Sequence, residues 1–169
     1  ELRMLPDSVR AGLQKWQIAA EATARDESWS QAFFFGTGAY YGLACEASLK
    51  LKEMTQAVTE AYHPLEFRHG PQSVLTDRTL CVLLRREESG GPEDELMAHV
   101  RERGARTVTL APGQADFQLE SGFGDWARAP LYLPPLQLFA VARTAVAGLD
   151  PDRPRGLTRV VRLPGEVHG

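Results

Sequence analysis

QAFFFGTGAYYGLACEASLKLKEMT, residues 31–55, decides the fold. Its apolar run at 32–35 is ended by Gly36-Thr37-Gly38, and a helix pattern follows over about 40–54. Leu43, Ala47, Leu51 and Met54 recur at i, i+4, i+8 and i+11, the stripe that packs inward. Glu46, Lys50 and Glu53 recur at i, i+4 and i+7 and share a second, polar face. Strand, glycine turn and helix in that order open an α/β domain. The polar stripe reads in two ways. It is a solvated surface face with a favourable Glu46–Lys50 pair, or, with the His69-Gly70-Pro71 turn that follows, it supplies a carboxylate base and an imidazole acid/base.

Outward from this unit the alternation continues. Residues 5–24 form an amphipathic helix pattern with Asp7 or Ser8 as its cap. Residues 57–61 suit a short strand, and residues 69–75 a short helix with Pro71 in its first turn. Residues 80–84 are a buried strand, 92–103 a helix stopped by Gly104, and 107–111 another strand. Residues 112–127 read as a loop with one helical turn, 131–133 as a short last strand, and 135–148 as an apolar helix. From 151 the chain is rich in Pro, Arg and Gly and reads as an extended tail. The expected organisation is a linker helix over 1–25, a domain over 26–150 and a tail over 151–169. Strands alternating with helices imply a three-layer α/β/α arrangement around a mostly parallel sheet. Ligands of such sheets bind beyond the carboxyl ends of the strands, where Gly36, Thr37 and Gly38 fall.

At 169 residues one domain is expected. The net charge of −3 gives no general attraction to nucleic acid or to anionic membrane. No apolar run approaches the roughly 20 residues that span a bilayer. Cys45 and Cys81 lie in apolar segments without metal-type spacing, so two buried free thiols in a reducing cytoplasm are expected. His63, His69, His99 and His168 show no HxxxH or HExxH pattern, and no metal or other cofactor is expected. Three lysines stand against sixteen arginines, which restricts amine chemistry because a guanidinium keeps its proton.

The motifs FGTGAYYGLACE, EASLKLKE, EAYHPLEFRHGP and DPDRPRGLTRVV occur in one order along the whole chain. Together they resemble the sugar isomerase (SIS) domain family, and within it the second SIS domain of the isomerase half of glucosamine-6-phosphate synthase and related phosphosugar isomerases and deaminases. The resemblance implies a flavodoxin-like fold with a five-stranded parallel sheet. It implies proton transfer between C1 and C2 of an open-chain hexose phosphate or amino-sugar phosphate. The base matches Glu53, and the ring-opening histidine matches His69, which in synthase-type enzymes enters a neighbouring subunit's site. A homodimer is thereby implied, as are substrate contacts from the Gly36–Gly38 turn, Lys50, Arg155 and Arg159. Imidazole suits ring opening because it both gives and takes a proton near neutrality. A histidine that merely fixes a tight turn is the plain alternative for His69.

Two departures qualify the resemblance. The synthase's Schiff-base lysine is matched by Arg159, and a guanidinium does not attack a carbonyl. That favours an isomerase, a deaminase or a binding role, with Arg155 and Arg159 free to pair with phosphate or to be a solvated basic tail. The family's SxSGxT phosphate loop is absent; its place is taken by Glu87-Glu88-Ser89-Gly90-Gly91, whose carboxylates repel phosphate. The chain is therefore expected to be a C-terminal half whose missing N-terminal SIS domain holds the phosphate. The competing reading is a regulatory SIS module that senses a phosphosugar without chemistry. A third is a parallel α/β domain with no phosphosugar role.

Overall fold

The computed structural model describes residues 1–88 and 90–157. Helix α1 (Leu5–Ala24) leads into β1 (Gln31–Gly36), α2 (Ala39–Thr55), β2 (Val58–Tyr62) and the short α3 (Pro64–Phe67). A 3₁₀ turn at Pro71–Val74 precedes β3 (Thr79–Leu84), followed by α4 (Pro92–Glu102), β4 (Arg106–Pro112), β5 (Phe117–Leu119), α5 (Asp125–Arg128) and α6 (Leu133–Val146). The five strands are all parallel in the order β2-β1-β3-β4-β5, so the expected three-layer α/β fold with a five-stranded sheet is present.

Side-chain alternation builds the layers. In β1, Ala32 and Phe34 face α1, α2 and α6, whereas Phe33 and Phe35 face α3 and α4. In β3, Leu80, Val82 and Leu84 join the first core, and Cys81 and Leu83 the second. Both strands are buried throughout or nearly so, as the central strands of a covered parallel sheet must be. Leu51 and Ala47 of α2 are buried, with Leu43 and Met54 packed at the core's margin, which is the apolar stripe expected from their spacing.

Three local readings are corrected. The fifth strand is Phe117–Leu119, not 131–133. Leu131 and Tyr132 are fully buried but sit in a 3₁₀ turn, because Pro130 and the Pro134-Pro135 pair favour a helical entry over a ladder. Helix α1 starts at Leu5, with Met4 as its cap residue and no side-chain cap bond, so neither Asp7 nor Ser8 caps it. Cys45 is exposed, since position 45 lies on the outer face of α2.

Helix α1 contributes Trp16, Ala20 and Ala24 to the core. Gly12 leaves room for the Trp16 ring, which a Cβ there would meet at 2.4 Å. The Trp16 indole N–H donates to the Gln118 carbonyl at 2.9 Å and ties α1 to the edge strand β5. At the opposite edge, β2 carries exposed Val58 and a hydrogen bond between Tyr62 and Glu60. Among the described residues no helix is long and apolar enough to cross a membrane.

Thiol labelling separates the two cysteines. Burial pushes the Cys81 thiol up to about 12, whereas Cys45 is open to solvent. One equivalent of a disulfide reagent should react promptly with the native protein, and the second only on unfolding. Two prompt equivalents would contradict the buried position of Cys81.

Candidate functional site

The strand order places β1 and β3 side by side, with the chain leaving β1 towards β2 and β3 towards β4. That reversal opens a crevice beyond their carboxyl ends. It holds a cleft of about 180 Å³ lined by Thr37, His63, Leu65, Arg86, Glu88 and Glu93, among others. Gly36 and Gly38 flank Thr37 in the chain. A Cβ on Gly36 would lie 2.2 Å from the Tyr40 carbonyl oxygen, so only glycine lets α2 start this close to β1. Gly38 is the α2 cap residue at φ 60 and ψ −126, a conformation that L side chains rarely adopt.

Thr37 follows β1 directly, and its hydroxyl donates to Oε1 of Glu93 at 2.6 Å. Glu93 sits in the first turn of α4, where the helix dipole favours a carboxylate. Its residue is 4% exposed, yet among the described residues its Oε2 has no hydrogen-bond partner. Such an oxygen costs about 1–3 kcal/mol or more while unpaired. His63 accepts the Leu65 amide on Nδ1 at 3.4 Å, which leaves its proton on Nε2. The β3–α4 loop is held from behind by Arg128, whose side chain is fully buried. Arg128 donates to the carbonyls of Glu120 at 3.0 Å and Ser121 at 3.2 Å, to that of Phe123, to Asp125 at 3.3 Å and to Glu87.

The other expected site residues lie elsewhere. Lys50 and Glu53 are in the last turns of α2, about 16 and 21 Å from its start at about 1.5 Å per residue, so one protomer does not bring them to the Gly36–Gly38 turn. Lys50 bonds Glu53 at 3.0 Å and approaches Glu46 at 4.0 Å. The Glu46–Lys50 pair read from spacing is therefore the longer of two. The hydrogen bond that Lys50 donates to Glu53, with the charges of Glu53 and Glu46, raises Lys50 above its ordinary value. Past α6 the chain turns back on this end of α2, where Arg153 and Arg155 line a cleft of about 320 Å³ with Met54 and Gln56. His69 follows α3; its amide bonds the Glu66 carbonyl at 3.0 Å and its ring is exposed. Arg159 and His168 lie outside the described residues, as does Ser89.

A doubly wound sheet with this glycine turn has many possible relatives, and the match to one family is specific: the SIS domain covers residues 27–117, more than half of the chain. The chain belongs to the SIS domain family. Glutamine–fructose-6-phosphate aminotransferase (isomerizing) of Acidithiobacillus ferridurans is 34% identical over 177 residues, covering 96% of the chain and 28% of that relative. The solved tagatose-6-phosphate ketose/aldose isomerase of Escherichia coli superposes with a TM-score of 0.77 at 26% identity, over 95% of the chain and 46% of its own. Glucosamine-6-phosphate deaminase of Thermotoga maritima has the same fold, with a TM-score of 0.77 at 23% identity over 92% of the chain and 48% of its own. The chain thus spans under a third of the first relative and about half of each solved neighbour.

Within this SIS domain, two residues important to the crevice escape a reading of the sequence. Glu93 follows Pro92 in an acidic first turn and looks like a solvated helix start. Arg128 follows a glycine-containing loop and looks like a surface cation. The available signal for Glu93 is its helical spacing of three and four to the buried Leu96 and Met97, which puts it on the inward face.

Proposed function

We propose that this SIS domain is half of a phosphosugar-converting enzyme of the isomerase or deaminase type, acting by proton transfer between C1 and C2. Glu53 takes the C2 proton of the open-chain sugar and returns it to C1. His69 of a second copy opens the ring, giving a proton to the ring oxygen and taking one from the anomeric hydroxyl. Lys50 orients Glu53, and Arg155 offers a phosphate partner at the same end of α2.

The observation that carries this reading is the Lys50–Glu53 pair at 3.0 Å, beside the arginine-lined cleft where the chain folds back. It presents an oriented carboxylate at the domain surface, where a second domain or copy can complete the site. The greater length of the relatives supports an additional SIS domain in the complete protein. That these relatives are named as enzymes does not favour a sensing-only module. The Arg at position 159 favours an isomerase or deaminase over a Schiff-base synthase.

The test is isotope exchange. The complete protein incubated with fructose 6-phosphate or glucose 6-phosphate in D₂O should incorporate deuterium at the C1/C2 positions, read by proton NMR. No incorporation with any hexose phosphate or amino-sugar phosphate, in protein shown to bind one, rejects the catalytic reading.

A further inference from the structure

The crevice at the carboxyl ends of β1 and β3 lies at the opposite end of α2 from Glu53. It has the features of a built site. Glu93 is almost wholly buried, its Oε1 is satisfied by the Thr37 hydroxyl, and among the described residues its Oε2 is unpaired. A buried carboxylate oxygen left open in this way calls for a donor, and a cationic donor gives the strongest bond. The charged lining of the cleft is Glu88 and Glu93 against Arg86, and Asp94 and Glu95 add to the negative side at the α4 start, so the balance disfavours an anion. His63 adds an Nε2 donor suited to a hydroxyl oxygen. The cleft of about 180 Å³ has room for roughly six water-sized volumes.

We propose that this crevice binds a small hydroxylated primary amine, with its ammonium group donating to Oε2 of Glu93 and its hydroxyls meeting His63 and Glu88. The site is independent of Glu53 and His69 and does not rest on the isomerase reading.

The probe is 2-amino-1,3-propanediol, with glycerol as its match in size and hydroxyls but without the charge. Each is titrated into the complete protein at pH 7 and constant chloride, and apparent Kd is read from the rise in melting temperature. The amine should bind about tenfold or more tightly than glycerol, the span of a charge-assisted bond. Glu93→Gln should bring its Kd to the level of glycerol. Equal affinities, an amine Kd unchanged in Glu93→Gln, or no binding of either compound would each overturn the proposal and assign the open oxygen to water. The comparison in the unmutated protein stands even if Glu93→Gln fails to fold. Sugar-phosphate exchange is not measured here, so loss of the isomerase reading leaves this result intact.

Discussion

Replacing Glu53 with Gln is expected to slow deuterium exchange at C2 of a hexose phosphate by about 10²- to 10⁴-fold in the complete protein, the range that a positioned proton-transfer group contributes. The amide keeps the shape of the side chain and removes only its ability to take a proton. The fold should hardly notice. The Lys50–Glu53 pair is partly exposed on both sides, and such helix-surface pairs contribute about 0.3–0.5 kcal/mol. Loss of exchange with an unchanged melting temperature would therefore be chemical in origin. Exchange within about threefold of the parent, in a folded variant, would remove Glu53 from the mechanism. Mixing Glu53→Gln with His69→Ala protein adds a second readout. If the histidine is supplied across a dimer, mixed dimers hold one intact site and recover part of the activity that each variant lacks.

The second large effect is on stability. Arg128→Met should destabilise the domain by about 3–5 kcal/mol, as breaking a buried charged network does. The guanidinium is fully buried, and its removal leaves the carbonyls of Glu120, Ser121 and Phe123 without their shared donor. For a chain of this size that corresponds to a fall in Tm of roughly 10 °C. Arg128→Lys should fall between, because one ammonium keeps the charge but cannot fork to this many acceptors. Urea unfolding of the three proteins measures the series, and a Met variant within about 0.5 kcal/mol of the parent would refute the clamp. The same side chain holds Glu87, so the β3–α4 loop and the crevice beside it should loosen with it.

The parts of this architecture that could be read from the sequence are those with a local cause. Phe33 to Phe35 end at a glycine that α2 crowds, and the stripe Leu43, Ala47, Leu51, Met54 is a helix face. Both signals lie within one element. Phe117–Leu119 was beyond such reading because three residues carry too little periodicity. What defines this strand lies outside it: the Trp16 indole on Gln118, and the Asp116 carboxylate on the Thr109 amide at 2.7 Å and its hydroxyl at 2.9 Å. The same holds for the crevice. Thr37 was named from its place in the glycine turn, but its partner Glu93 is 56 residues away. Cys45 is exposed where burial is expected, because an apolar neighbourhood in sequence is not an inward position on a helix.

The two margins of the sheet differ in a way that bears on self-association. A parallel sheet with bare margins invites stacking of further strands and fibrillar growth. On the β5 side the ladder stops after three residues, and the Trp16 indole takes the Gln118 carbonyl that an incoming strand would need. On the β2 side a carboxylate, Glu60, stands mid-strand and makes repeated in-register stacking unfavourable. The helix at the start of the chain is thus a guard against amyloid-like recruitment as well as a piece of core.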